Sequence, residues 1–161
     1  VLGLPYAFAS HFAPDMLFDA LQIYRENFKP SEQLAEPYAM AGIGVIAAAD
    51  KASADKQLEI TRRVRVKSLF KSPSGGKLTE EEVDQILDSP RARAVDEMLT
   101  YSGVGTGEEA AAYLADFQAK TGVQELITVH YADSVENRLR SVEILAEAAG
   151  LSERAAAAAT A

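Results

Sequence analysis

Three stretches of the chain are apolar at consecutive positions, and the segments between them carry apolar residues at three- and four-residue spacing. The stretches 4–10 (LPYAFAS), 38–48 (YAMAGIGVIAA) and 125–131 (ELITVHY) lack the alternation of a half-exposed strand, which predicts strands buried on both faces. Met16, Leu17, Ala20, Leu21, Ile23 and Tyr24 predict a helix over 15–28, with Pro30 beyond its end. A polar loop over 29–37 leads into the second strand, whose Gly42 and Gly44 leave room for close packing or for a ligand. A long helix is expected over 53–70 from Leu58, Ile60, Val64, Val66 and Leu69, although several of these fall two apart, as in a strand.

Local signals divide the second half. The segment KSPSGGK (71–77) combines glycine, serine and proline and reads as flexible. Thr79 and Glu82 have capping-box spacing and start a short helix to about residue 88, before Pro90 breaks it. One or two further helical turns are expected over 91–99, then a tight connection at 102–105 (SGVG). Thr106 and Glu109 form a second capping box for a helix through about 120, ended by a glycine cap at Gly122. Asp133 or Ser134 caps the last helix, which Gly150 stops, and an alanine-rich tail (SERAAAAATA) follows. Strand–helix repeats with doubly buried strands mean an α/β fold with a parallel sheet and right-handed crossovers. An open doubly wound sheet and part of a (β/α) barrel both satisfy the pattern. No G-x-G-x-x-G follows a strand, which removes the best sign of a dinucleotide fold.

Composition narrows the function classes. The 161 residues suit one domain, and the net charge of −8 leaves no surface suited to neutralising phosphates, so a nucleic-acid partner is not expected. The one basic cluster, Arg62-Arg63-Val64-Arg65-Val66-Lys67, reads as a solvated helix face. The chain has no cysteine, which excludes disulfides and thiolate chemistry, and with two histidines no metal site is expected. No apolar run approaches the roughly 20 residues of a membrane span, so a cytoplasmic protein without a membrane partner is expected. No G-x-S-x-G elbow supports a hydrolase.

The stretches GLPYAFASHFAP (3–14), YRENFKPSEQLAEPYAMAGIGVIAAAD (24–50), YSGVGTGEEAAAYLADFQAKTG (101–122) and ELITVHYADSVENRLRSVEILAE (125–147), in this order and spacing, resemble the C-terminal half of the bacterial luciferase-like flavin-dependent monooxygenases. The resemblance implies a partial TIM (β/α)8 barrel, with residues 1–150 supplying its C-terminal strands and helices and 151–161 a tail. The three strands would be the sixth to eighth, with Val1 inside the protein and the first part of the barrel missing. A complete barrel takes about 250 residues, so the isolated fragment is expected to be inactive. The implied activity is that of an oxidoreductase using reduced FMN, delivered by a separate flavin reductase, and oxygen on a small organic substrate. A homodimer is implied as well. The alternatives are a non-catalytic flavin-binding relative or partner subunit, and a deazaflavin-dependent oxidoreductase.

In such barrels function sits at the C-terminal ends of strands. Ser10 and His11 fall where the resemblance places contacts to the flavin ring, although luciferase itself has a large aromatic residue there. His11 is the candidate to donate to a flavin oxygen or to stabilise charge on the reduced flavin; the plainer reading is that Ser10 and His11 cap the following turn. His130, at the end of the last strand, is a candidate general acid or base, or else satisfies a nearby carbonyl, and Tyr131 beside it is a weaker candidate. Thr106 opens a helix that could receive a phosphate, but the resemblance puts the flavin phosphate upstream, so a structural cap is expected. Glu108 and Glu109 suit the helix dipole and would repel a phosphate. The segment 71–99 interrupts the strand–helix rhythm and reads as a mobile lid over the C-terminal mouth. Both outer strands, 4–10 and 125–131, are too apolar to leave their edges in water, and the missing half of the barrel is expected to cover them.

Overall fold

A computed structural model describes residues 3–73 and 75–151, so the alanine-rich tail at 152–161 lies outside the described residues. In chain order the elements are β1 (Tyr6–Phe8), α1 (Leu17–Glu26), β2 (Ala39–Ala47), α2 (Lys51–Leu69), α3 (Glu80–Leu87), α4 (Arg93–Glu97), β3 (Ser102–Gly105), α5 (Gly107–Thr121), β4 (Glu125–His130) and α6 (Val135–Ala148). Short 3-10 turns at Pro14–Met16 and Pro90–Ala92 lead into α1 and α4. Both capping boxes form as their spacing predicts, at Thr79/Glu82 and Thr106/Glu109. Asp50 caps α2 and Ser134 caps α6 through their side chains. Gly122 ends α5 at φ 62°, in the left-handed region that favours glycine.

The strands form one parallel sheet built around β2. β4 runs along residues 40–45 of β2, and its register overlaps those of β1 and β3. Since a strand has only two edges, β1 and β3 must share the other one: β1 beside residues 39–41 and β3 beside 44–47. The stretch 102–105, expected as a tight connection, is therefore a fourth strand. Its Gly103 permits this, because a Cβ there would stand 2.9 Å from Leu114 Cδ1 of α5. Between the two pairings the Ser10 hydroxyl donates to the Gly42 carbonyl. This side-chain bond takes over where the backbone pairing of β1 stops, which explains why β1 is shorter than the predicted 4–10.

One face of the sheet carries the main core. Ala41, Ile43 and Val45 of β2 pack with Leu17 and Leu21 of α1, Leu114 and Phe117 of α5 and Leu145 of α6. The other face is covered at its C-terminal end by α2, where Ile46 and Tyr131 meet Ala54 and Leu58. Further along that face Ala7 is exposed and Ile127 is 46% exposed. Among the described residues β1 and β4 each pair with β2 alone. No described helix is long and apolar enough to cross a membrane.

The excursion at 71–99 forms a satellite rather than a loose loop. Val83 and Ile86 of α3 and Val95 of α4 bury against Val66 of α2, and Leu99 belongs to this cluster and to the one around Ile46 and Tyr131. Ion pairs surround it: Arg63 with Glu80 (2.6 Å) and Asp84 (2.5 Å), Lys67 with Glu80 (2.6 Å), and Arg62 with Asp96 (3.0 Å). Hydrogen bonds from Arg63 and then Lys67 hold the Glu80 carboxyl down at about 2. The basic cluster is thus not a plain solvated face: three of its cations join α2 to α3 and α4, and Arg65 turns the other way.

Candidate functional site

Strand pleating decides which side chains can meet. The register pairs Ile43 with Thr128, Gly44 with Val129 and Val45 with His130. His130 therefore lies on the face of Ile43 and Val45, toward the helices, whereas Val129 and Tyr131 lie on the face of Gly42 and Gly44. His11 stands on this second face too, since a Cβ on Gly42 would fall 2.6 Å from its Nδ1. A Cβ on Gly44 would fall 2.5 Å from Ser102 Oγ and 2.6 Å from Tyr131 Cε2. The two glycines thus make room for an imidazole, a hydroxyl and a phenol along one side of β2.

Each member of this row has a buried polar atom that makes no well-formed hydrogen bond among the described residues: His11 Nδ1, Ser102 Oγ and Tyr131 Oη, with the Gly42 carbonyl and the Arg65 guanidinium as the nearest partners of the first and last. Buried polar groups are normally paired, and three adjacent orphans are the clearest sign of a binding function in the chain. Burial holds the His11 pKa below its ordinary 6.5; the Gly42 carbonyl opposes this and the charge of Arg65 adds to it. Burial likewise pushes the Tyr131 phenol up, against the pull of Arg65. The Arg65 guanidinium lies 5.0 Å from the centre of the Tyr131 ring, a cation–π distance.

The sequence-predicted residues separate in space. Ser10 is fully buried, and its hydroxyl hydrogen is engaged by Gly42, so it anchors the strand end that presents His11. His130 meets α6: its Nδ1 lies 2.8 Å from Ser141 Oγ, which also accepts the Ala47 N–H at 3.0 Å. The Ser141 hydroxyl hydrogen is free for Nδ1, an arrangement that favours a neutral ring with its proton on Nε2. Burial lowers the His130 pKa as well. The two histidines are on opposite faces and do not form one acid–base pair. Thr106 is a closed cap, its N–H donating to Glu109 at 2.8 Å, which leaves no welcome for a phosphate.

Sequence reasoning missed Ser102 and Arg65. Ser102 lay in a segment read as a connection. Arg65 was hidden among the basic residues, though its spacing from Thr61 and Ser68 puts three polar groups on one helical stripe. The donors and acceptors of His11, Ser102 and Tyr131 fit the polar edge of a flavin ring, with its carbonyl oxygens and ring nitrogens. They do not fit its phosphate, which asks for charge or free backbone N–H groups.

No protein-family model matches the chain. The chain is 38% identical over 147 residues to the uncharacterized protein YvbT of Bacillus subtilis strain 168, a match covering 91% of this chain and 44% of that protein. It is 37% identical over 145 residues to a luciferase-like monooxygenase of Escherichia coli strain K12, covering 89% and 43%. The chain thus spans less than half the length of these relatives. Among solved structures, apo-MsnO8 superposes with a TM-score of 0.70 at 27% identity, over 93% of this chain and 46% of that one. The monooxygenase RslO1 from Streptomyces bottropensis superposes at 0.51 and 18%, over 90% and 40%, a likeness of fold.

Proposed function

We propose, for a chain that belongs to the luciferase-like monooxygenase family, that it forms one wall of a flavin site in a larger (β/α)8 barrel. The whole protein is then a flavin-dependent monooxygenase acting on a small organic substrate. The observation that carries this reading is the row of orphaned polar atoms, His11 Nδ1, Ser102 Oγ and Tyr131 Oη, beside Gly42 and Gly44. When bound, reduced FMN supplies the two electrons with which oxygen is divided between product and water. His11, neutral because burial lowers its pKa, offers its ring N–H to the polar edge of the flavin, and Ser10 fixes the turn that presents it. Ser102 and Tyr131 complete the hydrogen bonds on that edge. His130, held by Ser141 on the opposite face, serves the reaction only through the position of β4. The remainder of the protein covers the bare part of the sheet, binds the flavin phosphate and closes the barrel. A flavin reductase delivers the cofactor, and a homodimer is the working form, in the cytoplasm.

The test uses the full-length protein, a flavin reductase, NADH and oxygen. His11→Ala is expected to weaken FMN affinity about tenfold or more, or to release the reducing equivalents as hydrogen peroxide instead of product. Unchanged affinity and coupling would make His11 structural. Side-by-side fluorescence titration of FMN and a deazaflavin decides the cofactor.

A further inference from the structure

Arg65 faces a groove of about 640 Å³ between α2, β4 and the start of α6. Apolar side chains line its length, with Ile60 and Val64 from α2 and Val129 from β4. Thr61 and Ser68 stand beside Arg65 on the same stripe of α2, and Arg138 of α6 stands at the far side. The other cations of the basic cluster, Arg62, Arg63 and Lys67, each have a carboxylate partner. Arg65 and Arg138 have none among the described residues, although the chain has 24 acidic residues against 16 Lys and Arg. The groove's one carboxylate, Asp133, accepts from Asn137 Nδ2 at 2.7 Å. Arginine presents a planar fork of N–H donors that matches a carboxylate in two parallel hydrogen bonds. Two arginines without a carboxylate partner among the described residues, over an apolar floor, suit a ligand with an acidic end and an apolar body.

We infer that this groove binds the substrate as an organic carboxylate, its acid group on Arg65 and its hydrocarbon part along Ile60, Val64 and Val129. The inference rests on the proposed monooxygenase reading and narrows its substrate to a class. Arg65 stands over Tyr131, a member of the proposed flavin wall, so a ligand anchored there lies next to the flavin edge. The stacking on Tyr131 also fixes the guanidinium and lessens the ordering needed when a carboxylate arrives.

The experiment is calorimetric titration of the full-length protein with hexanoate and with its neutral analogue hexanamide, alongside titration with FMN. Wild-type protein is expected to prefer hexanoate at least tenfold. Arg65→Met should abolish that preference, and Arg65→Lys should keep part of it. If Arg65→Met lowers FMN affinity tenfold or more and hexanoate shows no preference over hexanamide, Arg65 belongs to the cofactor and the inference is overturned. Equal binding of the two probes by wild-type protein overturns it as well. A protein that prefers hexanoate but binds no flavin would overturn the monooxygenase reading and leave the anion site standing. Circular dichroism of both variants checks folding; should Arg65→Met unfold, the Arg65→Lys titration decides, with an undiminished preference counting against the fork-specific contact.

Discussion

The two faces of the sheet are made by alternate residues of one strand, yet they have opposite chemistry. Ile43 and Val45 of β2 enter a continuous apolar core shared by α1, α5 and α6. Gly42 and Gly44, interleaved with them, border three polar atoms without a well-formed hydrogen bond among the described residues. The first face is closed and complementary. The second is partly bare, covered by α2 only toward the C-terminal end of the sheet, and carries unpaired groups that lower stability where they stand. On the proposed function, stability and binding are divided by the strand pleat, so that neighbouring residues are expected to fail in different ways.

Residues 43 and 44 test that division most directly. Ile43→Ala removes a fully buried side chain and is expected to cost about 2–5 kcal/mol, read by urea unfolding of the full-length protein, with FMN affinity kept in the folded fraction. Gly44→Ala drives a methyl into Ser102 and Tyr131 and is expected to cost less, about 1–3 kcal/mol, while FMN affinity falls tenfold or more. If both substitutions altered stability alone, the second face would be a second core.

Tyr131→Phe sharpens the contrast with a smaller effect of unusual sign. The hydroxyl is buried and makes no well-formed hydrogen bond among the described residues, so its removal is expected to leave stability unchanged or raise it by about 1 kcal/mol. FMN affinity should fall several-fold. A loss of stability with affinity intact would mean that the hydroxyl has a structural partner in the whole protein.

The smallest effect expected is on acid stability. His11 and His130 lie on opposite faces, and burial depresses both pKa values below 6.5. The folded chain binds these protons less readily than the unfolded one, so their contribution is fully present above 6.5 and is lost as pH falls through the folded values. Unfolding midpoints of the full-length protein from pH 7.5 down to 5 should decline below 6.5. His11→Asn and His130→Asn separate the two shares.

Much of the chain was legible because the deciding interactions are local. The capping boxes at Thr79/Glu82 and Thr106/Glu109 and the glycine cap at Gly122 lie within four residues of sequence, and they formed as written. The apolar run of β2 declared a strand buried on both sides, and the strand–helix rhythm declared a parallel sheet. Ser102–Gly105 was missed because a short, glycine-containing strand has no periodicity of its own; it becomes a strand only where the free edge of β2 beyond β1 meets it. The site was half legible for a related reason. His11 was marked by its place at a strand end, but its neighbours Ser102, Tyr131 and Arg65 come from segments far apart in the sequence. His130, equally well placed at a strand end, was sent to the opposite face by a register that shifts every side chain when it moves by one residue. Composition and spacing determined the elements of this protein. Which side chains share a face was decided by strand pairing, because pleat and register fix the direction of a side chain and are set only when distant segments meet.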